Sequence, residues 1–447
     1  MSKYVLFEKY KNWITGNEAA INTYANHLIV IFAFSIPLSV SVRRLSISLI
    51  ILLFLARGRI VQHTRLLLRD PLVSSFILYF LVHLIWLVSS DDLMAAKKSL
   101  HDSAFLLFVP LFVSFIDERY VKRISGAFVL GMVVSSIISY GLFFELIPGM
   151  SHNVSHGVSG DPTPLYHHTH YGYMLAITAV ILLYKFIDLQ DMNSYRIFVG
   201  ALFVLIASNM LIIEGRSGFV IFAVLVFIMV TLHFRRRAVK PVMLTIVLMI
   251  AASVLSYNYI GVFKERVDLT VKSAESVIVD KNYNTSLGGR VGLVVYSLDV
   301  IADNMMFGNG TGDHVSEMRK EVENGGGELP ALVKSLSHMH NEYISSLIQF
   351  GILGFLVFLN IPYQMLRYSA GFSGLVLKIT GVSILLYTLI DVFIIGLGMI
   401  LTVVVISSVS VNKYYVTEAN YKMLDFKQVL IYALTISGFY LIKLVLP

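Results

Sequence analysis

The segment HMHNEYISSLIQFGILG, residues 338–354, sets two histidines, an asparagine and a glutamate directly before an apolar helical run. Imidazole is the side chain whose charge changes nearest neutral pH, so a histidine placed here can accept a proton from a reacting group. Asn341 is a natural N-cap, which puts His340 just outside the helix that follows. The positive end of the helix dipole disfavours imidazolium, and that suits His340 to the work of a general base. Glu342 pulls the other way and could orient the ring. His338 shares the approach, and with Asn341 it is read as a substrate-binding residue.

Two arginines stand in contexts that suit an anion. IIEGRSGFV places Arg216 in a short turn between two apolar runs, and NTSLGGRVGLVVY places Arg290 after two glycines at the start of a helix. A guanidinium stays charged and grips phosphate with two parallel hydrogen bonds, while a glycine-rich helix start adds backbone N–H donors. Each arginine could equally pair with a neighbouring acid or reach the lipid headgroups. The loop SHNVSHGVSGDPTPLYHHTHYGYM, residues 151–174, holds five histidines. Its HHTH spacing fits no structural zinc pattern well, so no metal is assigned. His168 and His170 are placed instead at a helix start beside the same cavity. Tyr166, Tyr171 and Tyr173 could stack there on a sugar face or serve as interfacial anchors. With no cysteine in the chain, disulfides and thiolate–metal chemistry are excluded, and no cofactor is indicated.

The elements that must position these residues are membrane helices. Of 447 residues 56% are hydrophobic and 14% charged, whereas a soluble domain carries about a quarter charged residues. Apolar runs of helical length occupy about 26–41, 45–56, 72–89, 103–116, 124–146, 170–187, 195–213, 217–233, 241–260, 343–368, 374–393 and 396–411, and a further run at 427–446 makes twelve or thirteen spans. The fold class is therefore all-α and polytopic. The N-terminus MSKYVLFEKYKNW lacks the pattern of a cleaved signal, so the first span serves as the insertion signal. Basic stretches such as RGRIVQHTRLLLR and HFRRRAVK mark the cytoplasmic side, which accounts for the net charge of +7 without a nucleic-acid partner. Arg43–Arg44 fall on the opposite side, in what reads as a very tight turn.

Three parts follow: an N-terminal bundle of about nine spans at 1–260, a large polar external loop with helical periodicity at 261–342, and C-terminal membrane helices at 343–447. Nine of the thirteen histidines, with Glu145, Glu214, Arg216 and Asp391, gather at or near the external face. A transport route would set charges at mid-depth and on both sides, so this one-sided clustering points to a site opening outward. No internal repeat supports an inverted-repeat transporter.

His340–Asn341, followed by nine residues and then Gly351-Ile-Leu-Gly354, resembles the histidine motif of bacterial O-antigen ligases, at the end of a large loop as in that family. Arg216 and Arg290 fall where the family keeps two essential arginines. The loop arginine is usually followed four residues on by leucine, and here that position is Val294. The resemblance implies a GT-C-type glycosyltransferase of the Gram-negative inner membrane, independent of metal, with its site facing the periplasm. It would move a polysaccharide from undecaprenyl diphosphate to a sugar hydroxyl of lipid A–core, completing lipopolysaccharide among the membrane lipids. His340 would be the base and Arg216 and Arg290 would hold the diphosphate. The motifs are shared with O-antigen polymerases, which use a second polysaccharide as acceptor, and with O-linked protein oligosaccharyltransferases. A lipid-linked-sugar flippase or other transporter is the alternative from another class.

Overall fold

The structure is a computed structural model that describes residues 3–58, 67–147, 161–189, 193–324, 336–368 and 371–415. The run at 427–446, together with His152 and His156, lies outside the described residues. Within them the chain is helical and carries no strand. In chain order the helices are α1 (Lys3–Ser35), α2 (Val40–Arg57), α3 (Pro71–Ile85), α4 (Leu93–Ser103), α5 (Phe108–Val113), α6 (Glu118–Phe143), α7 (His168–Asp188) and α8 (Ser194–Asn209). There follow α9 (Arg216–Phe234), α10 (Val239–Tyr259), α11 (Gly261–Asp280), α12 (Ser286–Asp303), α13 (His314–Asn324), α14 (Glu342–Arg367), α15 (Phe372–Tyr387) and α16 (Leu397–Tyr415).

Six of these stretches are long and apolar enough to cross a membrane: Pro71–Ser89, Glu118–Phe143, His168–Asp188, Arg216–Phe234, Val239–Tyr259 and Glu342–Arg367. Only 6% of the most apolar window of α10 is buried inside the protein. A helix so apolar and so uncovered is stable only where lipid replaces water around it. The chain is thus a helical membrane protein. At the centre stands α16, buried along residues 397–411 against α5, α6, α7 and α15. Helices α7 and α9 cross closely at Gly172 and Gly218, where a Cβ on Gly218 would sit 2.6 Å from the Gly172 backbone. Small residues let membrane helices meet in this way.

Local chemistry sets the ends of the helices. Asp70 accepts from the Leu72 and Val73 amides at 2.9 Å and Pro71 opens α3, an arrangement that satisfies donors no helix can satisfy for itself. The first turn differs from the sequence expectation. Pro37 lies between α1 and α2, and Ser39 caps α2 through the Val42 amide at 3.3 Å. The connection is therefore residues 36–39, and Arg43 and Arg44 belong to the first turns of α2 rather than to the turn itself. The apolar run at 103–116 is also not one helix, because α4 passes through a 3-10 turn at Ala104–Leu107 into the short α5.

Between α10 and α14, helices α12 and α13 pack with the start of α14 into a small second core. Leu293, Val300 and Met318 meet Met339, Ile344 and Ile348 there, all buried. The segment between α12 and α13 docks on a break in α14. Gly351 has φ +61°, which an L side chain adopts with strain, and a Cβ there would meet the Met306 carbonyl carbon at 2.4 Å. The amides of Asn309 and Gly310 donate to the carbonyls of Ile348 and Gln349, at 2.9 and 3.0 Å, and the Ile352 amide donates to Met305 at 2.8 Å. The first glycine of GILG is thus the hinge that admits a second backbone.

Candidate active site

The short connection between α15 and α16 carries the centre of the site. Asp391 stands in it, mostly buried, with its Oδ1 3.2 Å from His338 Nε2 and 3.7 Å from His340 Nδ1. The two imidazole rings lie 3.9 Å apart, centroid to centroid. Met339 between them is fully buried in the second core, while both histidines are partly exposed. His340 has φ +48°, a left-handed conformation that costs free energy in a non-glycine residue and gathers at functional sites. Asn341 caps α14 through the Ile344 amide at 3.2 Å, and its amide nitrogen reaches the Leu389 carbonyl at 3.5 Å.

Burial alone would raise the Asp391 carboxyl, but its interactions with His338 and His340, with the charge of His170 added, hold it well below the usual carboxylate range. Its Oδ2 accepts from the Tyr387 hydroxyl at 3.3 Å, and that hydroxyl also meets His170 Nδ1. The two histidines differ in how they are held. His338 engages both nitrogens, Nε2 on Asp391 and Nδ1 on Ser337 Oγ at 2.9 Å, and its side chain is 19% exposed. His340 meets Asp391 through Nδ1 and is 39% exposed.

Glu342 does not orient His340. Its side chain is buried on the other side of the loop, accepting from Tyr79, from Ser346 Oγ at 2.9 Å and from the Phe393 amide at 2.8 Å. Its own amide donates to Thr388 at 2.9 Å. Glu342 thereby ties the start of α14 to the connection that carries Asp391. This places the histidines and the carboxylate on one rigid support.

Arg290 projects from α12 to the same connection, its Nε donating to the Ile390 carbonyl at 3.3 Å. Burial pushes its guanidinium down from the usual range, and the charge of Asp391 opposes that. Arg216 opens α9 and donates to Thr270 Oγ1 on α11, one turn beyond Arg266, which is ion-paired with Glu214. The charges of Arg266 and Arg290 both act on Arg216. With Arg266 paired to Glu214, Arg216 and Arg290 leave a positive field on this side of the site that favours an anion.

His168 and His170 part company. Residues two apart on a helix face different ways, and His168 Nδ1 meets Asp161 Oδ2 at 3.1 Å while His170 turns to Tyr387. Asp161 also accepts the Glu214 amide at 3.4 Å, so His168 supports the turn that presents Arg216. Tyr171 is a correction to the sequence reading. It is 1% exposed and faces Ser135, Ser136 and Ser139 of α6, so it is packed between helices and offers no face to a sugar. Tyr173 and Tyr166 are likewise buried, bonded to Ser383 at 2.8 Å and to the Ile36 carbonyl at 2.8 Å.

Among the described residues two groups have ligand atoms close enough to share a metal ion: His338, His340 and Asp391, and Asp161, His168 and Glu214, each within 4.8 Å. In the second group Arg266 already neutralises Glu214, and in the first Arg290 supplies a positive charge beside Asp391. Two imidazoles and a carboxylate are a donor set that can hold a divalent metal, and the positive charge of Arg290 on Asp391 weighs against one in the first group.

Residues 201–359 match the family model described as O-Antigen ligase. The matched stretch contains Arg216, Arg290, His338, His340 and Asn341, of which all but Arg216 contact the connection between α15 and α16. Over this stretch the chain is similar to the O-antigen ligase family. Asp391, Tyr387, Asp161, His168 and His170 lie outside the matched stretch. A Haemophilus influenzae chain described as an uncharacterized protein is 24% identical over 307 residues, covering 66% of this chain and 72% of its own length. Asp391 is the residue that the sequence reading left without a role. Its signal was there, since it is the sole acid between residues 371 and 411. A lone charge in an apolar stretch of a membrane protein is costly, and that marks it as functional.

Proposed function

We propose that the chain transfers a polysaccharide from undecaprenyl diphosphate to a sugar hydroxyl of lipid A–core. The observation that carries this reading is the pairing of His340 with Asp391 on a connection whose neighbouring carbonyl is held by Arg290. An acceptor hydroxyl at His340 Nε2 loses its proton to the imidazole as its oxygen bonds to the anomeric carbon of the donor. The bond from that carbon to the diphosphate oxygen breaks, and the leaving group departs with the electron pair. Asp391 steadies the imidazolium so formed, while Arg216 and Arg290 take the charge that builds on the diphosphate. The match of residues 201–359 to the O-antigen ligase model supports the reaction class. Neither nucleotide nor metal enters this scheme.

The deciding experiment incubates the purified chain with lipid-linked polysaccharide and rough lipopolysaccharide, without nucleotide. A ladder of products on the core is expected, undiminished by EDTA. Elongation of the donor polysaccharide alone would make the chain a polymerase, and movement of the donor across the bilayer with no bond cleavage would make it a transporter. Loss of activity on chelation, restored by zinc or magnesium, would put the metal at one of the two histidine–carboxylate groups and overturn the arginine scheme.

The same reading takes twelve or thirteen crossings in a GT-C arrangement, with 261–342 as a periplasmic unit between the 1–260 bundle and the 343–447 helices. Inner-membrane placement follows from the lipid substrates. Single cysteines introduced into this cysteine-free chain test it. A cysteine at Lys272 in α11 should react with an impermeant maleimide from the periplasm and one at Arg237 only after permeabilisation, as the basic-loop asymmetry requires. The opposite pattern would place the site on the wrong side for both lipids.

Lysine at Arg216 or Arg290 keeps the charge but loses the planar fork. Removing one donor to a developing anion typically costs on the order of 10² to 10³ in rate, and each variant is expected in that range. Initial transfer rates at saturating donor measure it. Near-normal rates for both would rule out bidentate contact with the diphosphate.

A further inference from the structure

The connection that holds Asp391 has a second side. Its Gly396 and Gly398 press on the site already described, where a Cβ would meet Tyr387 Oη at 2.9 Å and His170 Cβ at 3.1 Å respectively. Ile394, Ile395 and Leu397 of the same segment instead line a separate cavity of about 340 Å³, closed by the start of α2, the end of α4 and Phe105. Arg43, Arg44, His101 and Asp102 stand around it.

The charges there are unbalanced. Arg43 is 5% exposed and donates to the Tyr166 hydroxyl and, at 3.4 Å, to the Ile36 carbonyl, both neutral acceptors. Among the described residues no carboxylate lies within 4 Å of it. Asp102, the carboxylate at the pocket, is engaged by His101 Nδ1 at 3.1 Å. Arg44 is exposed at the mouth. A buried guanidinium without a counter-charge, beside a second one, favours an anionic ligand. The rest of the wall is aromatic and aliphatic, and Val42, Leu45 and Leu49 on the outer side of α2 are exposed apolar residues, so the mouth adjoins lipid. A cationic mouth over an apolar wall suits a lipid with a phosphorylated headgroup.

We propose that this pocket binds a phosphate of the acceptor, a phosphorylated glycolipid. The inference rests on the glycosyl-transfer reading, in which two lipid-borne substrates converge on one connection. The donor diphosphate has Arg216 and Arg290 on the histidine side, so a second cationic pocket on the opposite side of the same segment serves the other lipid. Its neighbour Asp391 then lies between the two headgroups. Arg43 and Arg44, which no turn requires, acquire a role.

Binding is measured with the full chain in phosphatidylcholine nanodiscs, using bis-phosphorylated lipid A, its dephosphorylated counterpart, undecaprenyl diphosphate and phosphatidylglycerol as separate probes. Arg44→Glu reverses the charge at an exposed position, and Ile47→Trp fills the cavity without touching a charge. Each variant should weaken lipid A binding roughly tenfold, as expected for a charge-assisted contact of about 1.4 kcal/mol or more. Wild type should bind the dephosphorylated lipid more weakly by a similar factor, and undecaprenyl diphosphate binding should not change in either variant. Unchanged lipid A binding in both variants overturns the proposal, as does a loss confined to undecaprenyl diphosphate. Equal, Arg44-dependent binding of phosphatidylglycerol also overturns it, by making the pocket a site for bulk lipid. A wild type that binds lipid A through Arg44 yet transfers no sugar would sink the transferase reading and leave the pocket standing.

Discussion

His340→Ala should lower the transfer rate by about 10² to 10⁴, the usual worth of a positioned general base, while donor binding persists. The geometry assigns the larger loss to this histidine rather than its neighbour. His338 has both nitrogens engaged, on Asp391 and Ser337, whereas His340 meets Asp391 through Nδ1 and is the more exposed of the two. The conformation of His340 adds a second discriminator. At φ +48° the residue is held where glycine is more comfortable than alanine, so His340→Gly should be as inactive as His340→Ala but no less stable. His338→Ala should be milder, because it loosens Asp391 without removing the base. Initial rates at saturating donor, donor binding and thermal unfolding are measured on all three variants. A dead His338→Ala beside a His340→Ala that transfers normally would move the base to the other ring.

The helical character of the chain could be read from its hydrophobic runs, and so could α11 and α12, because VFKERVDLTVKSAESVI and RVGLVVYSLDVIADNM have helical spacing and the breaker GNGTGDH follows them. The cap on α14 was equally legible, since an asparagine before an apolar run has few other uses. Contacts across long separations were not. Asp391 lies 53 residues from His338, and nothing local announces that the connection after α15 folds back beneath the start of α14. Glu342 was misjudged for the same reason: its partners Tyr79 and Phe393 come from opposite ends of the chain. Tyr171 failed on a different ground. A tyrosine near a helix end can face lipid headgroups, a cavity or a neighbouring helix, and only the serine-lined packing surface of α6 decides among them. The turn before α2 was misplaced because two arginines look like a loop, while Pro37 and Ser39 set the break and the cap.

Asp391→Asn is expected to cost about as much as losing the base, on the order of 10² to 10⁴ in rate, because orientation and charge fail together. The carboxylate accepts at both oxygens: from His338 and the Val392 amide at Oδ1, the latter at 2.9 Å, and from Tyr387 at Oδ2. An amide of the same shape keeps one acceptor, turns the other into a donor and removes the charge that stabilises an imidazolium on His340. The pH dependence follows with a definite sign. Asp391 is held below its ordinary range in the folded chain. Its contribution to stability is therefore complete above the unfolded carboxylate range of about 4 and is lost only as pH falls through the lower folded value. Between pH 5 and 8 the Asp391 carboxylate stays ionised in the folded chain, so a change in the rate ratio of wild type to Asp391→Asn across that window does not come from protonation of Asp391. Asp391→Glu keeps the charge on a longer arm and should recover part of the rate, which a purely packing role for Asp391 would not produce. Transfer rates for the asparagine and glutamate variants from pH 5 to 8, with undecaprenyl diphosphate binding as the control for a folded site, provide the test. An asparagine variant that transfers at the wild-type rate would remove Asp391 from the mechanism and leave the histidine pair without its counter-charge.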